Sequence, residues 1–192
     1  MKQRLKQILS QRYPSSVIST DRVPAAVLVP IYYKQGDYYI LFTKRTETVK
    51  EHKGQISFPG GTYEEQDGTL VNTVLRECAE EIGLVAEAIE LLGELDDTVT
   101  KSSGYIISPF VANIRWPYPF KENPTEVEAI IKVPISALLD KNCMHQDTEI
   151  VEGKVVTTYF YNYQGNVIWG ATARILNQFL VIFSHAMEDA EE

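Results

Sequence analysis

Cysteine is nearly absent: 192 residues hold two, Cys78 and Cys143. Neither sits in a C-x-x-C pair, which excludes a disulfide framework and a thiolate metal or redox centre. So little cysteine suits a reducing compartment, and a cytoplasmic location is expected. Long apolar runs are missing too. The longest, near residues 25–33 and 179–183, fall well short of the roughly 20 residues that span a bilayer, so no membrane partner is expected. The opening M-K-Q-R-L-K-Q-I-L-S is basic but leads into Gln, Arg and Tyr, unlike a signal peptide. Positive charge is in deficit, with 18 Lys and Arg against 26 Asp and Glu for a net charge of −8. That balance argues against nucleic-acid backbone binding, although a local basic patch could hold a small anion. Absence of G-x-x-x-x-G-K-[ST], G-x-S-x-G and H-E-x-x-H speaks against P-loop, serine-hydrolase and zinc-protease chemistry.

What is present reads as one soluble globular domain over residues 1–192, 44% hydrophobic and 23% charged, without repeats or an internal linker. Leu5, Ile8 and Leu9 predict an N-terminal helix within residues 1–12, ended by Pro14. Residues 25–33 and 38–45, around Gly36-Asp37, predict a hairpin. Q-I-S-F-P-G-G (55–61) is a short strand that Pro59 stops and Gly60 and Gly61 open out, where backbone can approach a ligand. Val71, Val74, Leu75, Cys78 and Ile82 predict one buried helical stripe over 70–82, stopped by Gly83. Strands are expected at 89–95, 108–115, 127–133 and 154–163, a short helix from Pro134 to Leu139, and a closing helix over 171–183. Strands and helices mix without regular βαβ alternation, which predicts an α/β or α+β domain.

The segment R76-E77-C78-A79-E80-E81-I82-G83-L84 raises the chemical question. Glu77, Glu80 and Glu81 fall within about a 100° arc at the edge of the buried stripe. They can be an ordinary acidic surface relieved by Arg76 at i+4 to Glu80. Alternatively, their oxygens at i, i+3 and i+4 converge on a hard divalent cation, whose charge makes the crowding tolerable. The doubled glycine upstream favours the second reading.

This segment resembles the Nudix box, G-x5-E-x7-R-E-U-x-E-E-x-G-U with U aliphatic, and matches its second half with Cys78 in a U place. The first half departs: strict counting puts Gly68 and Thr62 at the acid and glycine positions, whereas one inserted loop residue assigns Asp67 and Gly61. Such a longer loop is similar to that of the coenzyme A pyrophosphatases, which carry L-L-T-x-T-[SA]-x3-R-x3-G-x3-F-P-G-G. Here Leu41 to Gly61 keep every spacing, with Phe42, Arg45, Thr46 and Lys50 as departures. G93-E94-L95-D96-D97, P109-F110-V111 and I168-W169-G170-A171-T172-A173 also look like that subfamily.

The resemblance implies a Nudix α/β/α sandwich with a mixed β-sheet between helices, and a metal-dependent diphosphatase using Mg²⁺ or Mn²⁺. It implies Glu80 and Glu81 as metal ligands with the Gly60 carbonyl, Glu77 as further ligand or water-activating base, and Arg76 orienting a glutamate. A distant acid is expected at Glu126; Glu128 shares its side of a strand. Lys44, Arg45, Lys50 and Lys53 are candidate phosphate contacts, or else a solvated loop balanced by Glu47 and Glu51. His52 reads as a loop histidine and Cys78 as a small core residue. Trp169 and the tyrosines at 159–163 are candidates for stacking on adenine, core packing being their commoner use. The expected partner is a coenzyme A-like small-molecule diphosphate, cleaved to 3′,5′-ADP and 4′-phosphopantetheine, with a homodimer left open. ADP-ribose or another nucleoside diphosphate derivative is the rival substrate, and a non-catalytic domain sensing a nucleotide or coenzyme A is the rival class.

Overall fold

The computed structural model describes residues 1–47, 54–100, 103–151 and 154–188. In chain order its elements are α1 (Lys2–Ser10), β1 (Val23–Lys34), β2 (Asp37–Arg45), β3 (Ile56–Ser57), β4 (Gly60–Thr62), α2 (Leu70–Ile82), β5 (Ile89–Glu94), β6 (Thr98–Val99), β7 (Tyr105–Ile114), β8 (Val127–Pro134), α3 (Ile135–Leu139), β9 (Met144–Val151), β10 (Lys154–Tyr163), β11 (Asn166–Ile168) and α4 (Gly170–Glu188). Three-residue 3₁₀ turns occupy Glu65–Asp67 and Ala86–Ala88.

β1 organises the main sheet. One of its edges runs parallel to β7 from Val23↔Tyr105 to Ile31↔Asn113, which requires a long crossover connection. Its other edge changes partner. Ala25–Val27 pair with β4 and Ile31–Lys34 with β2, while β2 carries β8 along Tyr39–Arg45 and β3 at Thr43–Lys44. At the switch Leu28 N–H donates to the Pro59 carbonyl at 2.9 Å. The sheet therefore forks there, and Gly60–Gly61 are held inside the fork. A separate antiparallel sheet has the order β11-β10-β9.

Alternate residues of the central strands enter two different cores, the consequence of the two-residue side-chain period. Val29 and Ile31 of β1, Ile40 and Phe42 of β2 and Val111 of β7 pack with Leu5 and Leu9 of α1 and Ile175, Leu176 and Phe179 of α4. Ala26, Leu28 and Tyr32 of β1, Leu41 of β2 and Phe110 and Ala112 of β7 pack with Val74, Cys78 and Ile82 of α2. Both sheet faces are covered, so β1 is buried from Ala25 to Tyr32 apart from Val27. The result is the expected mixed sheet between helices.

The 70–82 helix, its Gly83 stop and the N-terminal, Pro134 and C-terminal helices lie where the sequence predicts them. Several details differ, the short strands β6 and β11 among them. The hairpin turn is Gln35–Gly36 rather than Gly36–Asp37. The doubled glycine, read as the end of a strand, is itself in one. β9 is unannounced because M-H-Q-D-T-E-I-V has no clean apolar alternation; backbone pairing to β10 makes it a strand.

The N-terminal helix docks through a glycine. A Cβ on Gly93, whose φ is +156°, would lie 2.6 Å from Leu9 Cβ. Lys2 and Lys6 reach Glu90 beside it at 2.8 and 3.3 Å. Gly93→Ala is expected to push α1 off β5 and lower stability by about 1–3 kcal/mol, measured by urea denaturation.

Candidate active site

The catalytic question turns on α2, and its sequence explains its limits. Thr69 caps it, accepting from Asn72 N–H at 3.1 Å, and Gly83 leaves it in the left-handed region at φ 65°. Val74, Cys78 and Ile82 of the predicted stripe are buried, while Val71 and Leu75 are half-buried. The three acids separate. Glu81 is only 3% exposed, the Glu77 side chain is 16% exposed and that of Glu80 is 57% exposed. One helical arc thus runs from core to solvent.

A clamp built across the acidic loop holds Arg76. Asp67 accepts from Arg76 Nε at 2.8 Å and Nη2 at 3.0 Å, from Thr73 Oγ1 at 2.8 Å and from Glu64 N–H at 3.0 Å. This fork of charge-assisted bonds holds the Asp67 carboxyl well below the usual carboxylate range and raises the guanidinium. Arg76 then donates from Nη1 to Glu77 at 2.9 Å and Glu80 at 3.2 Å, and from Nη2 to the Thr62 carbonyl at 3.1 Å. Asp67 therefore aims Arg76, and Arg76 aims two glutamates. Gly68, which a strict count would assign, has no side chain to take that place.

Each glycine of the pair is needed for a different reason. A Cβ on Gly60 would lie 2.2 Å from the Ala26 carbonyl, and one on Gly61 would lie 2.3 Å from Glu77 Oε1. So β1 backbone presses on one and the acid on the other. Gly60 N–H also donates to Glu81 Oε2 at 3.3 Å.

These residues line a cavity of about 730 Å³. Arg45, Gly60, Gly61, Glu64, Glu77, Glu81 and Glu126 face it, with Phe58, Ile107, Val156, Trp169 and Arg174 among the others on its walls. Glu126 arrives from far along the chain because the segment before β8 is tied to the end of α2: Lys121 N–H donates to the Ile82 carbonyl at 3.0 Å and Asn123 N–H to that of Glu81 at 2.8 Å. Arg45 Nη1 stands 3.8 Å from Glu81 Oε1.

Not every candidate reaches this cavity. Lys44, its neighbour on β2, pairs instead with Glu128 at 2.7 Å, because successive strand residues face opposite ways. Glu80 stands outside the cavity wall, bonded to Arg76. Lys50, Lys53 and His52 lie outside the described residues. Tyr161 is in the core, its hydroxyl donating to Asn177 Oδ1 at 3.0 Å, and Tyr159 and Tyr163 pack against that core, leaving Trp169 on the cavity. The sequence reading passed over Arg174, which follows directly on the I-W-G-A-T-A segment it had singled out.

Burial pushes the Glu81 carboxyl up to about 8, with Glu77 and Glu126 adding to the rise against the Gly60 N–H and Arg45. Burial also raises Glu77, assisted by Glu80 and Glu126 and opposed by Arg76. Among the described residues no three acid, imidazole or thiol groups already form a closed cage. The donor chemistry nevertheless suits a hard divalent cation: carboxylates crowd a partly desolvated wall, and added positive charge would relieve each of them.

The shift has a sign for stability. Between the ordinary carboxylate range and pH 8 the unfolded chain is ionised at Glu81 while the folded one keeps its proton, so stability falls as pH rises through that window. In metal-free buffer Glu81→Gln should flatten this decline and melt higher than the wild type at pH 8. Thermal denaturation from pH 5 to 9 checks it.

A family model for the NUDIX domain matches residues 22–153. The chain is 35% identical over 165 residues to the uncharacterized Nudix hydrolase NudL of Photorhabdus laumondii, covering 86% of this chain and 87% of that one. Among solved structures it is similar to a MutT/nudix family protein from Enterococcus faecalis, with a TM-score of 0.61 and 14% identity over 98% of this chain and 70% of that chain. It is also similar to the Nudix domain of Shewanella oneidensis NrtR complexed with ADP ribose, with a TM-score of 0.51 and 21% identity over 69% and 84%. These two likenesses speak for the fold, and the sequence matches carry the assignment: the chain belongs to the Nudix hydrolase family.

Proposed function

We propose that the cavity hydrolyses the diphosphate of coenzyme A or its derivatives, giving 3′,5′-ADP and a 4′-phosphopantetheine product, with Mg²⁺ or Mn²⁺. The observation that carries the reaction is the placing of Glu77, Glu81 and Glu126 on one cavity wall beside Gly60–Gly61. Support for the substrate comes from the spacing kept between Leu41 and Gly61. A rival substrate, ADP-ribose, draws support from the ligand in the NrtR Nudix domain.

Glu80, which the resemblance also implies as a ligand, lies outside the cavity wall and is bonded to Arg76; Glu77 and Glu81, with the Gly60 carbonyl, would hold the cation. When bound, it neutralises charge on the phosphate oxygens and makes a nearby water more acidic. The chain's own residues do the rest. Arg76, fixed by Asp67, keeps the Glu77 carboxylate turned toward Gly61. Glu126 sits on a loop and accepts the proton of the attacking water; the water oxygen bonds to one phosphorus as the bridging P–O bond breaks and the leaving phosphate takes the electron pair. Arg45 supplies a cation beside Glu81. Among the described residues of the basic stretch, Arg45 is the one on the cavity wall that could contact phosphate, since Lys44 is occupied by Glu128.

Product analysis with Mg²⁺ or Mn²⁺ across coenzyme A, acyl-coenzyme A, ADP-ribose, NADH, dinucleotide polyphosphates and oxidised dNTPs tests the substrate. Release of 3′,5′-ADP from coenzyme A is expected; turnover of another diphosphate with coenzyme A untouched would remove that assignment. Glu81→Gln should fold and lose more than about a hundredfold in kcat, since loss of a partner that merely supports a metal ligand already costs 10- to 100-fold. Unchanged turnover would contradict the metal assignment, whereas a wild-type protein that binds these compounds and turns over none of them would favour a non-catalytic sensor.

A further inference from the structure

The one cationic group on the cavity wall besides Arg45, among the described residues, has no part in the chemistry above. Arg174 reaches the cavity from α4, on a wall that also carries Thr100, Tyr105, Val156, Trp169 and Thr172. Its Nη2 donates to the Val99 carbonyl at 2.5 Å, and its Nε is buried without a partner. Arg12 and Arg45 share a partnerless Nε, but each has a carboxylate nearby, Asp96 at 3.0 Å and Glu81 at 3.8 Å. Among the described residues Arg174 has no such counterion. Burial lowers its pKa and no acid offsets the effect.

A half-buried guanidinium without a counterion is unfavourable, and the deficit is reduced when a ligand brings the missing negative charge. The surroundings offer further donors. The N–H groups of Gly170, Ala171 and Thr172 precede the first bond of α4, from Ala173 N–H to the Trp169 carbonyl at 3.4 Å, and all three residues line the cavity. Trp169, 46% exposed, lies on the same wall. A planar fork, the N–H groups at the start of α4 and an aromatic face together match a phosphate attached to a nucleoside.

We propose that Arg174 is the specificity-determining residue of the cavity, holding a phosphomonoester of the substrate that is distinct from the diphosphate undergoing hydrolysis. This rests on the diphosphatase reading; in coenzyme A the group is the 3′-phosphate, and in a phosphorylated ADP-ribose it is the 2′-phosphate. The acids and their cation act on the anhydride, and Arg174 selects molecules that carry one more phosphate.

Calorimetry on the metal-free protein separates this from catalysis. Adenosine 3′,5′-bisphosphate and adenosine 2′,5′-bisphosphate are titrated against AMP, into wild type and Arg174→Met. At least one bisphosphate should bind wild type about 10- to 100-fold more tightly than AMP, the range for a charge-assisted contact, and Arg174→Met should bring it down to the affinity of AMP. The variant should melt no lower than wild type, since it removes an unpaired charge. Equal affinities for all three nucleotides in wild type, or a variant that keeps the bisphosphate preference, would overturn the proposal. Preference for the 2′-isomer with coenzyme A uncleaved would instead sink the coenzyme A reading and leave Arg174 in its role.

Discussion

A carboxylate that is nearly lost to solvent, that of Glu81, is the constraint around which the site is built. Burying it costs free energy unless positive charge or N–H donors meet it. The fold supplies a partial answer in the Gly60 N–H at 3.3 Å and the Arg45 guanidinium at 3.8 Å. The remainder of the deficit is what a divalent cation is suited to remove. An acid in this position is therefore poor at stabilising the fold and well placed for chemistry.

The sheet makes that burial geometrically feasible. Because one edge of β1 exchanges β4 for β2, the backbone of Gly60–Gly61 is drawn inside the sheet and pressed against Ala26 on one side and Glu77 on the other. Two side chains at adjacent positions would collide with fixed backbone or with the acid. The acids of α2 and Arg174 of α4 line one cavity although the two helices belong to opposite layers.

Much of this was legible in the chain. The 3.6-residue stripe of α2, its Thr69 and Gly83 limits and the alternation in β1, β2 and β7 are local properties, expressed wherever the segment folds. The R-E-x-x-E-E pattern announced an acidic arc. Its internal ranking was not legible: Glu80 and Glu81 are neighbours with identical side chains, yet one faces solvent and the other the core, because only the position of β1 and β4 against α2 distinguishes them. The role of Asp67 was similarly hidden by the inserted loop residue. β9 escaped notice because hydrogen bonds to β10, not its own pattern, hold it extended.

The sequence by itself determined the helices and the central strands β1, β2 and β7, which faces they bury, and that an acid cluster follows a doubled glycine, since these depend on residue period and backbone freedom over a few positions. Tertiary structure alone decided which acids meet. Glu126 joins Glu77 and Glu81 through backbone bonds from Lys121 and Asn123 to the end of α2, Lys44 is turned away to Glu128, and Arg174 is left on the cavity wall without a counterion among the described residues. Burial and charge pairing are relations between segments far apart in the chain, and no local pattern encodes them.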